Sequence, residues 1–159
     1  MMEIYILRHG IAEEARGGMA DAERALTETG REKLRRVLER ARAAGVAPSL
    51  ILTSPYRRAK ETAQTAGEVL GCGKVVESDV LVPGSTPADV WEAICARRRE
   101  GAILLAGHEP LLGMTVAHLL GAPAMHVDLK KAALVRIDEE NFSGAPRGIL
   151  KWMLTPRLV

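Results

Sequence analysis

Short apolar runs alternate with segments of helical period along this chain, and that alternation limits the fold more than any other feature. EIYILR (3–8) is apolar at successive positions and reads as a strand buried on both faces. LTETGREKLRRVLERARAAG (26–45) places Leu34, Val37, Leu38 and Ala41 at helical spacing and meets a terminator at Gly45. SLILT (49–53) reads as a second strand. SPYRRAKETAQTAGEVLG (54–71) reads as a helix with Ser54 as its N-cap, Pro55 at its first position and an apolar stripe of Ala59, Ala63, Ala66, Val69 and Leu70. KVVE (74–77) is a short third strand. TPADVWEAICARRR (86–99) is a helix capped by Thr86 with Pro87 first, and AILLAG (102–107) is a fourth strand. PLLGMTVAHLLG (110–121) is a helix that starts at Pro110. AALVRID (132–138) and ILKWMLT (149–155) flank a polar, glycine-containing loop, which predicts an antiparallel hairpin on the sheet edge. The expected fold is an α/β three-layer sandwich in one domain over residues 1–159. A mostly parallel central sheet carries helices on both faces and ends in the antiparallel C-terminal hairpin.

In such sheets ligands bind beyond the carboxyl ends of the strands, so the residues after each strand matter most. Arg8, His9 and Gly10 follow the first strand. Ser54 and Pro55 follow the second, with Arg58 in the next helical turn. Gly107, His108, Glu109 and Pro110 follow the fourth. Two arginines and two histidines are thus expected on one sheet edge, where helix N-termini also point. Arginine offers a forked, permanently charged donor set suited to phosphate, and helix N-termini add unpaired N–H groups. A phosphoryl dianion is the natural guest. Nearby cations keep an imidazole neutral, and a neutral imidazole is a nucleophile able to carry a phosphoryl group. The second imidazole can then donate to oxygens on which charge builds up. Gly10 lets the backbone pass close by.

Composition removes other classes. Aromatic residues make up 3% of the chain and the formal charge is +2, so base stacking and a polyanionic nucleic acid are poorly served. No apolar run reaches the ~18 residues of a membrane helix, and the first residues do not read as a signal peptide. Cys72 and Cys95 lie in neither a CxxC pair nor a zinc pattern. Reduced thiols, a cytoplasmic location, no metal and no cofactor are expected. His118, inside MTVAHLL, reads as packing or surface, and His126 as an exposed loop residue. Trp91 and Trp152 read as packing residues. ARRRE (96–100) reads as the cationic close of a helix. Arg24 either anchors the loop after the first strand or reaches the substrate. The segment 11–23 reads as a rim or lid over an open, shallow pocket.

LRHG, SPYRRAKET and GHEP together resemble the signature segments of the histidine phosphatase superfamily, also called phosphoglycerate mutase-like. The small size and RALTETG (24–30) resemble its SixA-type phosphohistidine phosphatase group. The likeness runs from about residue 3 to the C-terminal strand. It implies His9 as the nucleophile that becomes phosphorylated, with Arg8, Arg58 and His108 holding the phosphoryl oxygens. The family spacing Ser-x-x-x-Arg-Ala selects Arg58 over its neighbour Arg57. Gly10 and Arg24 complete the expected substrate-binding set. Larger members of the superfamily carry a carboxylic acid after the third strand that protonates an alkoxide leaving group. VLVPGSTPAD (80–89) offers none before Asp89. Phosphohistidine leaves more easily than a sugar hydroxyl, so this departure favours phosphohistidine in a protein, as on a histidine phosphotransfer domain. Glu109, Glu13 and Glu14 stand as other sources of a proton. A broad small-molecule phosphomonoesterase and a non-catalytic phosphoprotein-binding module are the alternative readings. The implied ligands are a phosphorylated protein or small phosphorylated molecule and inorganic phosphate, with no nucleic acid and no membrane.

Overall fold

A computed structural model describes residues 1–159. Ten main elements follow in chain order: β1 (Met2–Arg8), α1 (Glu28–Ala43), β2 (Leu50–Thr53), α2 (Arg57–Leu70), β3 (Val75–Glu77), α3 (Pro87–Cys95), β4 (Ala102–Gly107), α4 (Leu111–Leu119), β5 (Leu134–Glu139) and β6 (Ile149–Leu154). The sheet runs β3-β2-β4-β1-β5-β6. Its first four strands are mutually parallel, and β5 and β6 pair antiparallel. The layered sheet with an antiparallel C-terminal hairpin is therefore the architecture present.

The apolar run in β1 has a direct structural cause. Ile4, Tyr5, Ile6 and Leu7 are all fully buried, because successive strand side chains point to opposite faces and both faces are covered. Ile4 and Ile6 pack with Leu50, Leu52, Ile103 and Leu105 under α3 and α4. Tyr5 and Leu7 pack with Ile51 and Leu104 under α1 and α2. Each such side chain contributes roughly 1.5–3 kcal/mol through burial. With neighbours on two faces and two edges, β1 is tightly constrained, as β4 is beside it, and the residue after each end is held accordingly.

The helix signals divide into those realised and those overridden. Thr27 caps α1 by accepting from the Gly30 amide (2.9 Å), and Thr86 caps α3 by accepting from the Asp89 amide (3.2 Å), with Pro87 in first position. Ser54 is not an N-cap. α2 begins at Arg57 after Tyr56, and Ser54, Pro55 and Tyr56 form a turn instead. The Ser54 hydroxyl accepts from the Tyr56 amide at 3.2 Å, and that interaction closes the turn in place of a helical first turn. α3 ends at Cys95, so ARRR lies beyond it in a turn. Arg97 and Arg98 fold back there and donate to the carbonyls of Ala93 (2.8 Å) and Cys95 (3.4 Å), capping the helix from outside it. Trp91 stacks on Phe142, and Trp152 packs against Tyr5. Both cysteines are unpaired, and no helix is long and apolar enough to cross a membrane.

Candidate active site

Strand register builds the centre of the site. β1 and β4 pair with Arg8 opposite Gly107, so the next residue on each strand, His9 and His108, emerge side by side. Their ring centroids lie 5.3 Å apart. The His9 amide donates to the Gly107 carbonyl at 2.9 Å, which extends the pairing by one residue. β2 joins from the far side of β4. The Ser54 amide donates to the Ala106 carbonyl (3.0 Å), and the Ser54 hydroxyl lies 2.8 Å from His108 Nε2.

Both histidines are buried. His9 Nδ1 lies 2.7 Å from the Gly10 carbonyl oxygen. A carbonyl can only accept, so Nδ1 carries the hydrogen and Nε2 keeps the lone pair. Burial, then the charges of Arg58, Arg8 and Lys131, push the His9 pKa down to about 4 against the opposing pull of the Gly10 carbonyl. Burial, then His9 and Arg58, push His108 down to about 3 against the opposing charge of Asp21. At neutral pH both rings are uncharged.

The adjacent arginines separate cleanly. Arg58 is buried, while Arg57 is exposed and paired with Glu61 at 3.0 Å. One residue is about 100° of helix rotation, enough to send one guanidinium inward and the other to solvent. Arg58 lies over the Tyr56 ring, 5.3 Å from its centroid, and the same ring meets His108 edge-on at 5.2 Å. Arg58 donates to the Asp21 carbonyl (2.8 Å) and to its carboxylate (3.0 Å). Arg8 donates to the Leu129 carbonyl at 2.9 Å. Four buried side-chain nitrogens have no hydrogen-bond partner: Arg8 Nε, Arg58 Nε, His108 Nδ1 and His118 Nε2. Three of the four belong to this one cluster. A buried polar nitrogen left unmatched costs ~1–3 kcal/mol, and the oxygens of an oxyanion are partners these three could take.

Two expected contributors sit differently. The Gly10 amide donates to Thr62 Oγ1 (3.2 Å), so it is committed within the protein. A Cβ on Gly10 would lie 3.3 Å from the Gly30 carbonyl oxygen, so glycine serves packing there. Gly30 is tighter still, since a Cβ there would collide with the Ile11 carbonyl oxygen. The segment after His9 is therefore laid directly on the first turn of α1. Arg24 donates to the Glu13 carbonyl (2.7 Å) and to Asp21 (2.9 Å). It ties the 11–25 loop together and connects to Arg58 only through Asp21. Arg24 and then Arg58 hold the Asp21 carboxyl below its usual range.

Asp21, Ser54 as a partner of His108, and Tyr56 were not singled out for the site by sequence reasoning. Nor was the segment 129–133, whose Ala132 amide donates to the carbonyls of Arg8 (3.2 Å) and His9 (3.1 Å). The presence of Ser54 and Tyr56 inside SPYRRAKET was the available signal. The candidate acids are also placed. Asp89 accepts from the Thr86 hydroxyl at the α3 cap (2.9 Å), and Glu13 accepts from the Ala25 amide (3.1 Å). Glu14 is exposed. Glu109 is half-buried, accepts from the Gly113 amide and has its pKa raised by burial. His126 is exposed, and no three His, Cys, Asp or Glu side chains are spaced to hold a metal ion.

The family model of the histidine phosphatase superfamily (branch 1) matches residues 4–81. An uncharacterised protein of Picosynechococcus is 34% identical over 153 residues, covering 92% of this chain and 88% of that protein. The phosphohistidine phosphatase SixA of Escherichia coli is 28% identical over 162 residues, covering 98% and 94%. A solved structure of the protein histidine phosphatase SixA complexed with tungstate superposes with a TM-score of 0.86 at 26% identity, covering 98% of both chains.

Proposed function

This chain belongs to the histidine phosphatase superfamily, and from that premise we propose that it hydrolyses phosphohistidine in proteins through a phosphorylated His9. The observation that carries this reading is the His9 hydrogen bond to the Gly10 carbonyl. It leaves Nε2 as an unprotonated nucleophile beside three unmatched donors.

In the first step His9 Nε2 attacks phosphorus while the bond from phosphorus to the substrate imidazole nitrogen breaks. The substrate ring takes a proton from water at its other nitrogen and leaves as neutral imidazole. In the second step water attacks the phosphoryl group, the P–N bond to His9 breaks with its electron pair returning to Nε2, and inorganic phosphate is released; the attacking water gives up one proton to solvent, which balances the one taken up by the leaving ring. Arg8, Arg58 and His108 hold the oxygens, with the largest benefit where charge grows in the transition state. In this mechanism the Ser54 hydroxyl, 2.8 Å away, is the donor to His108 Nε2. That places the ring proton on Nδ1, the nitrogen with no protein partner. No protein acid is needed for an imidazole leaving group, consistent with Asp89 and Glu13 being engaged elsewhere.

A second reading is a broad small-molecule phosphomonoesterase. It is favoured by Glu109, whose carboxyl is half-buried with a raised pKa next to His108. Values of kcat/KM on a phosphohistidine peptide, a phosphoserine peptide and a panel of sugar and nucleotide phosphates decide between them. Phosphohistidine is expected to dominate. Dominance of an ester, lost on Glu109→Gln, establishes the second reading instead.

A further inference from the structure

Around α2 and β3, cations are matched by carboxylates. Arg31 and Arg57 reach Glu61, Arg35 reaches Glu68, Lys60 reaches Glu77 and Lys74 reaches Glu100. Beside the site that pattern stops. A groove of about 730 Å³ opens between α1, the 130–131 turn and the C-terminal turn at Pro156–Leu158, with Arg8 in its lining. Its other cations are Lys33, Arg36, Lys130, Lys131 and Arg157, and no Asp or Glu lines it. Lys130 pairs with Asp128 at 2.9 Å, but Lys33, Arg36, Lys131 and Arg157 have no carboxylate within 4.0 Å. Lys33 and Arg36 lie three residues apart on one face of α1, so their like charges add there.

We propose that this groove docks an acidic protein face bordering the phosphohistidine, so that charge flanking the phosphorylated residue selects the substrate. The proposal rests on the phosphohistidine reading and extends it to the partner's surface. Arg8 is shared by groove and pocket, so an occupant of one abuts the other. The Ala132 amide, next to Lys131, bonds to the Arg8 and His9 carbonyls, so the cationic turn is fastened to the nucleophile's backbone. The character of the cations points to a broad partner rather than a small chelated anion. All but Arg8 are exposed on long stems, and none of Lys33, Arg36, Lys131 or Arg157 is held by a side-chain hydrogen bond to the protein. A tight small-anion site fixes and desolvates its donors. A loose cationic field instead attracts a charged face from a distance and orients it.

The test uses two synthetic phosphohistidine peptides, identical except that Glu flanks the phosphohistidine in one and Gln in the other. The wild-type protein is expected to favour the acidic peptide about tenfold in kcat/KM, chiefly through KM, with the preference shrinking as salt is raised. In a Lys33→Gln, Arg36→Gln, Arg157→Gln variant the two peptides become equivalent while turnover of a small phosphoramidate is unchanged. Three outcomes overturn the proposal: no acidic preference in the wild type, a preference that survives the triple change, or an equal loss on the small phosphoramidate. If neither peptide is hydrolysed, the phosphohistidine reading itself fails. Peptide binding to His9→Ala, measured by fluorescence anisotropy, then still decides the docking proposal: tighter binding of the acidic peptide supports it, equal binding overturns it.

Discussion

The ends of β1 and β4 present the same residue type at matched positions, yet their histidines are fastened differently. After β1, His9 donates Nδ1–H to a backbone carbonyl that cannot reciprocate. After β4, His108 meets the Ser54 hydroxyl, which can donate or accept. Burial and the same two arginines lower both pKa values, so the electrostatic surroundings are nearly common to the pair. What separates a nucleophile from a donor is which nitrogen its anchor occupies. A fixed carbonyl makes one ring a lone-pair donor at Nε2. A hydroxyl leaves the other free to present an N–H.

The strongest test of that asymmetry removes each ring in turn. His9→Ala is expected to lower kcat by at least ~10⁴-fold, as loss of a covalent nucleophile does, and to abolish any acid-labile, alkali-stable phosphoprotein. Turnover close to wild type sinks the assignment. His108→Ala is expected to cost less, about 10²–10³-fold in kcat, the usual loss for one transition-state donor. It should still accumulate phosphorylated His9 in rapid-quench experiments. A phosphoenzyme lost in His108→Ala but retained in His9→Ala would reverse the two roles.

Much of this geometry was legible in the sequence, and for identifiable reasons. Four apolar residues in a row demand cover on both faces, which centres β1, and the strand-end rule then locates Arg8, His9 and His108 together. Arg58 was legible through the resemblance, whose Ser-x-x-x-Arg-Ala spacing selects it over Arg57; helix rotation alone says only that the two do not both enter one pocket. Asp21 was not. Its position depends on the path of the 11–25 loop, set by Gly30 against Ile11 and by Arg24 against Glu13, and loops leave no periodicity to read. Ser54 was misread for a related reason. Serine followed by proline matches a helix start locally, but the strand register of β2 and β4 brings this hydroxyl to His108, and the tertiary contact overrides the local preference. Leu129 and Ala132 act through main-chain atoms, which any residue supplies, so their side chains carry no mark of it.

The comparison sharpens with pH. Protonated His9 cannot attack, and its pKa of about 4 lies below the ordinary imidazole value. The acid limb of kcat/KM should therefore fall through about 4, corrected for uncatalysed acid hydrolysis of the substrate. At pH 5 an imidazole with an unshifted pKa would be only about 3% neutral, so the shift preserves roughly 30-fold of activity there. Arg58→Gln removes one cation that disfavours the imidazolium, so the limb moves toward higher pH. A limb near 6.5 in the wild type contradicts the buried, cation-flanked setting.

Ser54→Ala gives the smallest effect and the finest distinction. It removes the anchor of His108 while leaving His9 and its carbonyl untouched, and the Tyr56 amide loses its acceptor as well. If the hydroxyl sets the tautomer, kcat falls about tenfold, in line with the ~0.5–1.5 kcal/mol net value of one hydrogen bond, while KM for substrate changes little. The double variant with His108→Ala shows whether the loss acts through the ring. Coupling between the two changes means Ser54→Ala costs nothing further once the imidazole is gone. Additive losses instead mean that Ser54 serves the Tyr56 turn alone, and the tautomer of His108 is then set by the ligand rather than by the protein.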